Sequence, residues 1–182
     1  MKKTIKYICL ILTIFILAGC LGTIGPSERV EDFLNKYIKN DKDILNELDT
    51  YLNTQNLTET QREKYRSIIK DEYANIKYEI EEEAISENTA TVKVKITVKD
   101  LYGATQSAED DLLNNPNDFY TDGIYDSSKY VDYKLNIMEN YDKTVDYIIY
   151  FSLIKSDGVW NINDLDEVTL EKIHGIYNYD NE

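Results

Sequence analysis

Thr144-Val145-Asp146-Tyr147-Ile148-Ile149-Tyr150-Phe151-Ser152-Leu153-Ile154-Lys155, followed by Ser156-Asp157-Gly158-Val159-Trp160-Asn161-Ile162, is the stretch that decides the fold. Val145, Tyr147, Ile149, Phe151 and Leu153 fall at every second position, giving one unbroken apolar face to an extended strand. Ile148, Tyr150 and Ile154 make the other face mostly apolar too. A strand apolar on both sides is expected at the centre of a sheet, covered above and below. Asp157-Gly158 is the strongest hairpin signal in the chain, a pair that suits the positive φ angles of a two-residue turn. That turn sets Ile162 opposite Leu153 and Trp160 opposite Lys155, so Trp160 and Ile162 extend the apolar face.

A second hairpin lies upstream. Ile76, Tyr78 and Ile80 alternate with Lys77, Glu79 and Glu81, and Glu83 carries the polar series on. After Ser86-Glu87-Asn88, the residues Ala90, Val92, Val94, Ile96 and Val98 alternate with Thr91, Lys93, Lys95, Thr97 and Lys99. A slip of one residue would turn the apolar set to water, so Ile80 and Tyr78 must lie beside Val94 and Ile96. A three-residue loop with Asn88 in the left-handed region meets this condition. Glu81 then faces Lys93, and Glu79 faces Lys95. These pairs read as a solvated charge ladder rather than a binding patch, each worth well under ~1 kcal/mol.

Before residue 74 the apolar period is 3.6. Ser27 reads as a cap, with Glu28, Glu31 and Asp32 in the first turn, and Val30, Phe33, Leu34, Tyr37 and Ile38 form one stripe. Ile44, Leu45, Leu48, Tyr51 and Leu52 form a second. Thr58-Glu59-Thr60-Gln61 has capping-box spacing, and Tyr65, Ile68, Ile69 and Tyr73 continue that third helix.

Residues 103–142 are less regular. Thr105 to Leu113 is a candidate short helix, Asp122-Gly123 a turn, and Ser127 or Ser128 a cap for a helix carrying Tyr130, Val131, Leu135 and Met138. A forty-residue excursion between strands reads either as a functional insertion or as an elaboration of the fold. The tail from Val168 to Tyr179 is expected to begin as one helical turn and to end loosely.

The other end of the chain carries an address. Met1-Lys2-Lys3-Thr4-Ile5-Lys6 is basic, Ile8 to Ala18 is apolar over about eleven residues, and spanning a bilayer needs ~20. Leu17-Ala18-Gly19-Cys20 closes the run and resembles the lipobox of bacterial lipoproteins. In that family the Cys thiol receives a diacylglycerol and the chain is cut just before it. The resemblance implies a signal peptide over residues 1–19, a lipidated Cys20 with a short tether over 20–27, and one domain over 28–182. It also implies a place on the outer face of the cytoplasmic membrane or on the periplasmic side. The short tether would keep the domain near the bilayer.

The leader holds three of the 20 basic residues and none of the 34 acidic ones, so residues 20–182 carry a formal charge of −17. That field repels phosphate backbones, which excludes nucleic acid as a partner. Cys9 leaves with the leader and Cys20 is consumed by lipidation, so no disulfide, zinc knuckle or cysteine nucleophile is expected.

A search for other chemistry adds little. His174, the only histidine, reads as a surface residue at a helix end, where the helix dipole favours it. Asn161, Asn163, Asp164, Asp166 and Glu167 offer oxygen ligands without the spacing of a calcium loop. No nucleophile elbow or glycine-rich phosphate loop is present. Tyrosine is abundant, with seven residues between Tyr120 and Tyr150. It reads first as the default aromatic of this composition and second as the lining of a pocket or interface. The candidates for the latter are Tyr147, Phe151, Trp160, Tyr130 and Tyr133.

Three helices, a hairpin, an excursion and a second hairpin make an α+β class, with N-terminal helices packed on a curved antiparallel sheet. The close of the chain, Phe151-Ser152-Leu153-Ile154-Lys155-Ser156-Asp157-Gly158-Val159-Trp160-Asn161-Ile162-Asn163-Asp164-Leu165, resembles the cystatin-like, NTF2-like cone of many small bacterial lipoproteins of unknown function. That fold hosts enzymes, pockets and interaction modules alike, so the absence of a catalytic constellation and the aromatic-rich body carry the expectation: a non-catalytic domain, without cofactor or metal, that binds a small ligand, a peptide or an envelope component. The alternatives are an interaction or immunity-type module docking on a neighbouring membrane protein and, third, a carboxylate-dependent envelope hydrolase.

Overall fold

Pro26 begins the first helix of the computed structural model, which describes residues 24–181. The leader, Cys20 and residues 21–23 lie outside the described residues. Helix α1 (Pro26–Ile38) starts two residues before the expected domain boundary. Gly25 is its cap, Pro26 needs no hydrogen-bonded N–H at the first position, and the Glu28 carboxylate accepts from the Gly25 N–H at 2.9 Å. Ser27, the expected cap, sits inside the first turn, and its N–H and hydroxyl both donate to Glu83.

Helix α2 (Lys42–Thr54) is capped by Asp41, and α3 (Glu59–Asn75) by the Thr58/Gln61 capping box the sequence predicts. Two hairpins and the excursion follow. These are β1 (Lys77–Ser86), β2 (Thr89–Lys99), α4 (Leu101–Asn114), a 3-10 turn over Pro116–Phe119, β3 (Tyr120–Thr121) and β4 (Ile124–Tyr125), α5 (Ser127–Asn140), β5 (Thr144–Ser156) and β6 (Val159–Ile162). Helix α6 (Glu167–Ile173) and a packed tail end the chain. Among the described residues no helix is long and apolar enough to cross a membrane.

The fold is α+β. One antiparallel sheet has the order β1-β2-β5-β6, and β3-β4 is a separate small hairpin around Asp122-Gly123. The inner face carries Val92, Val94, Ile96, Tyr147, Ile149, Phe151, Leu153 and Trp160, all buried against Val30 and Leu34 of α1, Leu52 of α2 and Ile68 and Ile69 of α3. Burying each such side chain contributes ~1.5–3 kcal/mol, several times a surface charge pair, so the apolar faces set the register. Ile162 faces Leu153 and Trp160 faces Lys155, as the Asp157-Gly158 turn requires.

Two expectations for the sheet are corrected. Strand β5 has a neighbour on each side within the sheet, but it is covered on one face only. Ile148, Tyr150 and Ile154 are 39%, 62% and 49% exposed on the outer face. Strand geometry favours β-branched and aromatic residues whether or not they are covered, so composition alone overstates the cover. The first hairpin turns through two residues, Glu87 and Asn88, with Glu87 rather than Asn88 at positive φ. That tighter turn would shift the register by one, and a bulge between Ile80 and Glu82 restores it. Ile80 still faces Val94 and Tyr78 faces Ile96, while Glu82, not Glu81, stands opposite Lys93. Beyond the bulge the parity is inverted, and Glu83 moves to the inner side, where Ser27 meets it.

The excursion is helical. α4 begins at Leu101, earlier than expected, with Asp100 as its cap, and Asp126 rather than a serine caps α5. Gln61 of α3 is 4% exposed and donates from Nε2 to the carbonyl and hydroxyl of Ser128 and to Asp132, which docks α5 on the N-terminus of α3. The tail is packed rather than loose. Tyr179 donates to Asp100, Tyr102 donates to Asp180, and the two tyrosine rings lie 4.9 Å apart.

Candidate functional site

Helices α2, α3 and α6 each turn one face toward a cavity of about 360 Å³ that opens to solvent. Helix α2 supplies Ile44, Glu47, Leu48 and Tyr51, and α6 with its C-terminal cap supplies Glu167, Leu170, Glu171 and His174, both at i, i+3, i+4, i+7. Helix α3 adds Tyr65, Ile69 and Tyr73, and Tyr37 of α1 closes the floor. The framework is pinned from outside. Arg66 holds Asp49 through two hydrogen bonds, at 2.6 and 3.1 Å, across α3 and α2. Asn40, at φ 51, turns α1 into α2 and donates to the Lys70 carbonyl. Asp166 caps α6 through the Thr169 N–H, which gives this aspartate a structural task.

The floor is aromatic. The rings of Tyr37 and Tyr73 meet edge to face at 5.1 Å, and His174 lies 5.5 Å from Tyr73 and 6.0 Å from Tyr37. Tyr73 Oη and His174 Nδ1 are hydrogen bonded at 2.9 Å. Burial pushes the Tyr37 phenol up to about 12, with the Glu47 charge adding to it, and raises Tyr65 and Tyr73 further. Burial pushes His174 down to about 4, so its imidazole is neutral at physiological pH. It is thus not the surface residue favoured by a helix dipole that the sequence suggests, although it does cap a helix C-terminus.

The five aromatic candidates fall elsewhere. Tyr147, Phe151 and Trp160 are 7%, 0% and 5% exposed in the core of the sheet and line none of this cavity. Phe151 packs on Phe33, and Lys155 lies 5.4 Å from the Trp160 ring centre. Tyr130 and Tyr133 pack on Phe119 at 5.4 and 5.2 Å, and Tyr133 donates to Asp111 at 2.6 Å. Of the five, Tyr133 lines a second, more polar cavity with Asp111, Asp118, Lys129 and Asp132.

In the sequence, the residues that do gather have the spacing of ordinary helix stripes. The usable signal is Glu47 between Ile44 and Leu48, an acid set inside an apolar stripe. Among the described residues no group of three or more metal-ligating side chains converges. No protein-family model, no curated protein and no solved structure matches the chain.

Proposed function

We propose that the chain is an extracytoplasmic lipoprotein, held to the membrane through a lipidated Cys20, whose domain binds a small ligand without transforming it. The observation that carries this reading is the cavity between α2, α3 and α6. About 360 Å³ is the size of a small-molecule site, and apolar walls with a few polar groups are the usual composition of one. The order of three helices, a hairpin, an excursion and a closing hairpin supports a cystatin-like, NTF2-like assignment of the domain.

Two measurements test the proposal. Cys20→Ser is expected to release the protein from membranes, and a precursor that stays membrane-bound would make the apolar leader the anchor. Ligand-observed NMR of the full chain in detergent micelles, with neutral benzyl alcohol as probe, is expected to give saturable binding. Leu170→Trp, which fills the cavity, is expected to weaken it at least tenfold. Binding that ignores the new indole, or no binding, would remove the cavity as the site.

A second reading rests on the outer sheet face. Ile148, Tyr150, Ile154 and Val159 are exposed there, which suits a module docking on a neighbouring membrane protein.

A further inference from the structure

The cavity has a charge pattern that narrows its ligand, given the reading above that it is the binding site. Four of its lining residues are tyrosines and three are glutamates, with no lysine or arginine among them. Glu47, Glu167 and Glu171 form no side-chain ion pair or hydrogen bond with the described residues. Burial keeps the phenols of Tyr37, Tyr65 and Tyr73 protonated and His174 neutral at physiological pH, so the three carboxylates dominate the field of the site. Tyrosine faces are also electronegative, because the ring quadrupole places negative potential above and below the plane.

The three classes of ligand respond differently to such walls. An anion meets repulsion from carboxylates and ring faces alike. A neutral apolar molecule gains from contact area but nothing from Glu47, Glu167 or Glu171. A cation with an alkyl shell gains from all of them, and sheds its hydration more readily than a metal ion does. We propose that the cavity recognises a small organic cation of the alkylammonium class, its head set among the tyrosine rings and within the field of the three glutamates.

Calorimetric titration of the full chain in detergent micelles tests this with three probes. These are choline, its uncharged isostere 3,3-dimethylbutan-1-ol, and phosphocholine, which adds the anionic phosphate of the corresponding lipid headgroup. Choline is expected to bind saturably, with both others at least tenfold weaker. The double substitution Glu47→Gln/Glu171→Gln is expected to weaken choline at least tenfold. Tyr51→Ala, at a residue 49% exposed, is expected to cost about three- to tenfold in choline affinity. Failure of choline to bind, or an isostere bound within threefold of it, would overturn the cationic ligand. So would phosphocholine bound as tightly as choline, or glutamine variants that bind normally. Any of these outcomes leaves saturable benzyl alcohol binding, and with it the cavity as a site, intact.

Discussion

Tyr73 Oη and His174 Nδ1 meet at 2.9 Å although 101 residues separate them in the chain. The contact joins α3 to the C-terminal cap of α6 and sets the aromatic floor of the cavity. It also leaves a pH signature. Burial lowers the His174 pKa from 6.5 to about 4. Between those values the unfolded chain takes up a proton that the folded chain refuses, so this residue makes stability fall as pH drops from 6.5 to 4. The full effect is about 3 kcal/mol. His174→Gln is therefore expected to gain on the parent by up to that amount as pH falls through the window. Urea unfolding at pH 7, 5.5 and 4.5 measures it. A difference between the two proteins that is constant with pH would mean the imidazole titrates freely in the fold.

Glu72, the neighbour of Tyr73 in α3, has the opposite sign. It is 2% exposed, its Oε2 accepts from the Lys99 N–H at 3.3 Å, and its Oε1 is buried without a hydrogen bond. Burial raises its pKa from 4.5 to about 7, against the smaller lowering effect of the Lys99 contact. The folded chain keeps a proton that the unfolded chain gives up. The stabilisation is complete below pH 4.5 and is lost as pH rises through 7. Glu72→Gln, which cannot ionise, is expected to gain on the parent by about 3 kcal/mol between pH 4.5 and 8. From pH 4.5 to 6.5 the Glu72 and His174 slopes oppose each other. The two single variants should then unmask slopes of opposite sign in the same urea series, and parallel curves would refute both assignments.

The helices and the register are legible in the sequence because both rest on apolar periodicity, which the core enforces. Val30, Leu34, Ile68 and Ile69 repeat at helical spacing, and Val92, Val94 and Ile96 at strand spacing, and all are buried. Apart from Glu47, set inside an apolar stripe, the cavity is not legible. A helix face that lines a pocket has the same spacing as one that fills a core, so Ile44, Leu48, Tyr65 and Tyr73 carry no separate mark. Helix α6 spans seven residues, too few to display a period. Tyr147, Phe151 and Trp160 stand out as large aromatics on one sheet face, but that face is what the helices cover.

The bulge in β1 makes a prediction about length. Glu81 is the extra residue between Ile80, facing Val94, and Glu82, facing Lys93. Deleting Glu81 makes those two pairs consecutive and leaves every other pair in place. The loss is one partly exposed ion pair, Glu81 to Lys93 at 2.9 Å, worth under ~1 kcal/mol. The deletion is thus expected to fold with a stability change within about 1 kcal/mol. Deleting Lys93 from β2 is different, since β2 pairs on both sides and its buried residues before and after the gap would face opposite ways. That variant is expected not to fold. Circular dichroism melts of the two deletions decide it, and equal damage would show that the bulge does not absorb the register.

Gly175 sets the geometry that brings His174 to Tyr73. It follows the His174 cap with φ +67, and its N–H donates to the Lys172 carbonyl while the Ile176 N–H donates to Glu171, the paired bonds of a Schellman end. Its own carbonyl accepts from the Tyr102 N–H at 2.9 Å. A Cβ there would stand 2.1 Å from the Lys99 carbonyl oxygen, a backbone atom that cannot swing aside. A Cβ on Gly158, at φ +82, would meet nothing within 4 Å, so that glycine serves as the control. Gly158→Ala is expected to cost only the left-handed conformation, about 1–2 kcal/mol. Gly175→Ala bears that cost and the collision as well, and is expected to lose at least about 1 kcal/mol more. It should also lower affinity for any ligand of the cavity, because displacing residue 175 displaces His174. Equal unfolding midpoints for the two variants would show that the tail yields without strain, and that the approach of Gly175 to Lys99 is not what holds α6 in place.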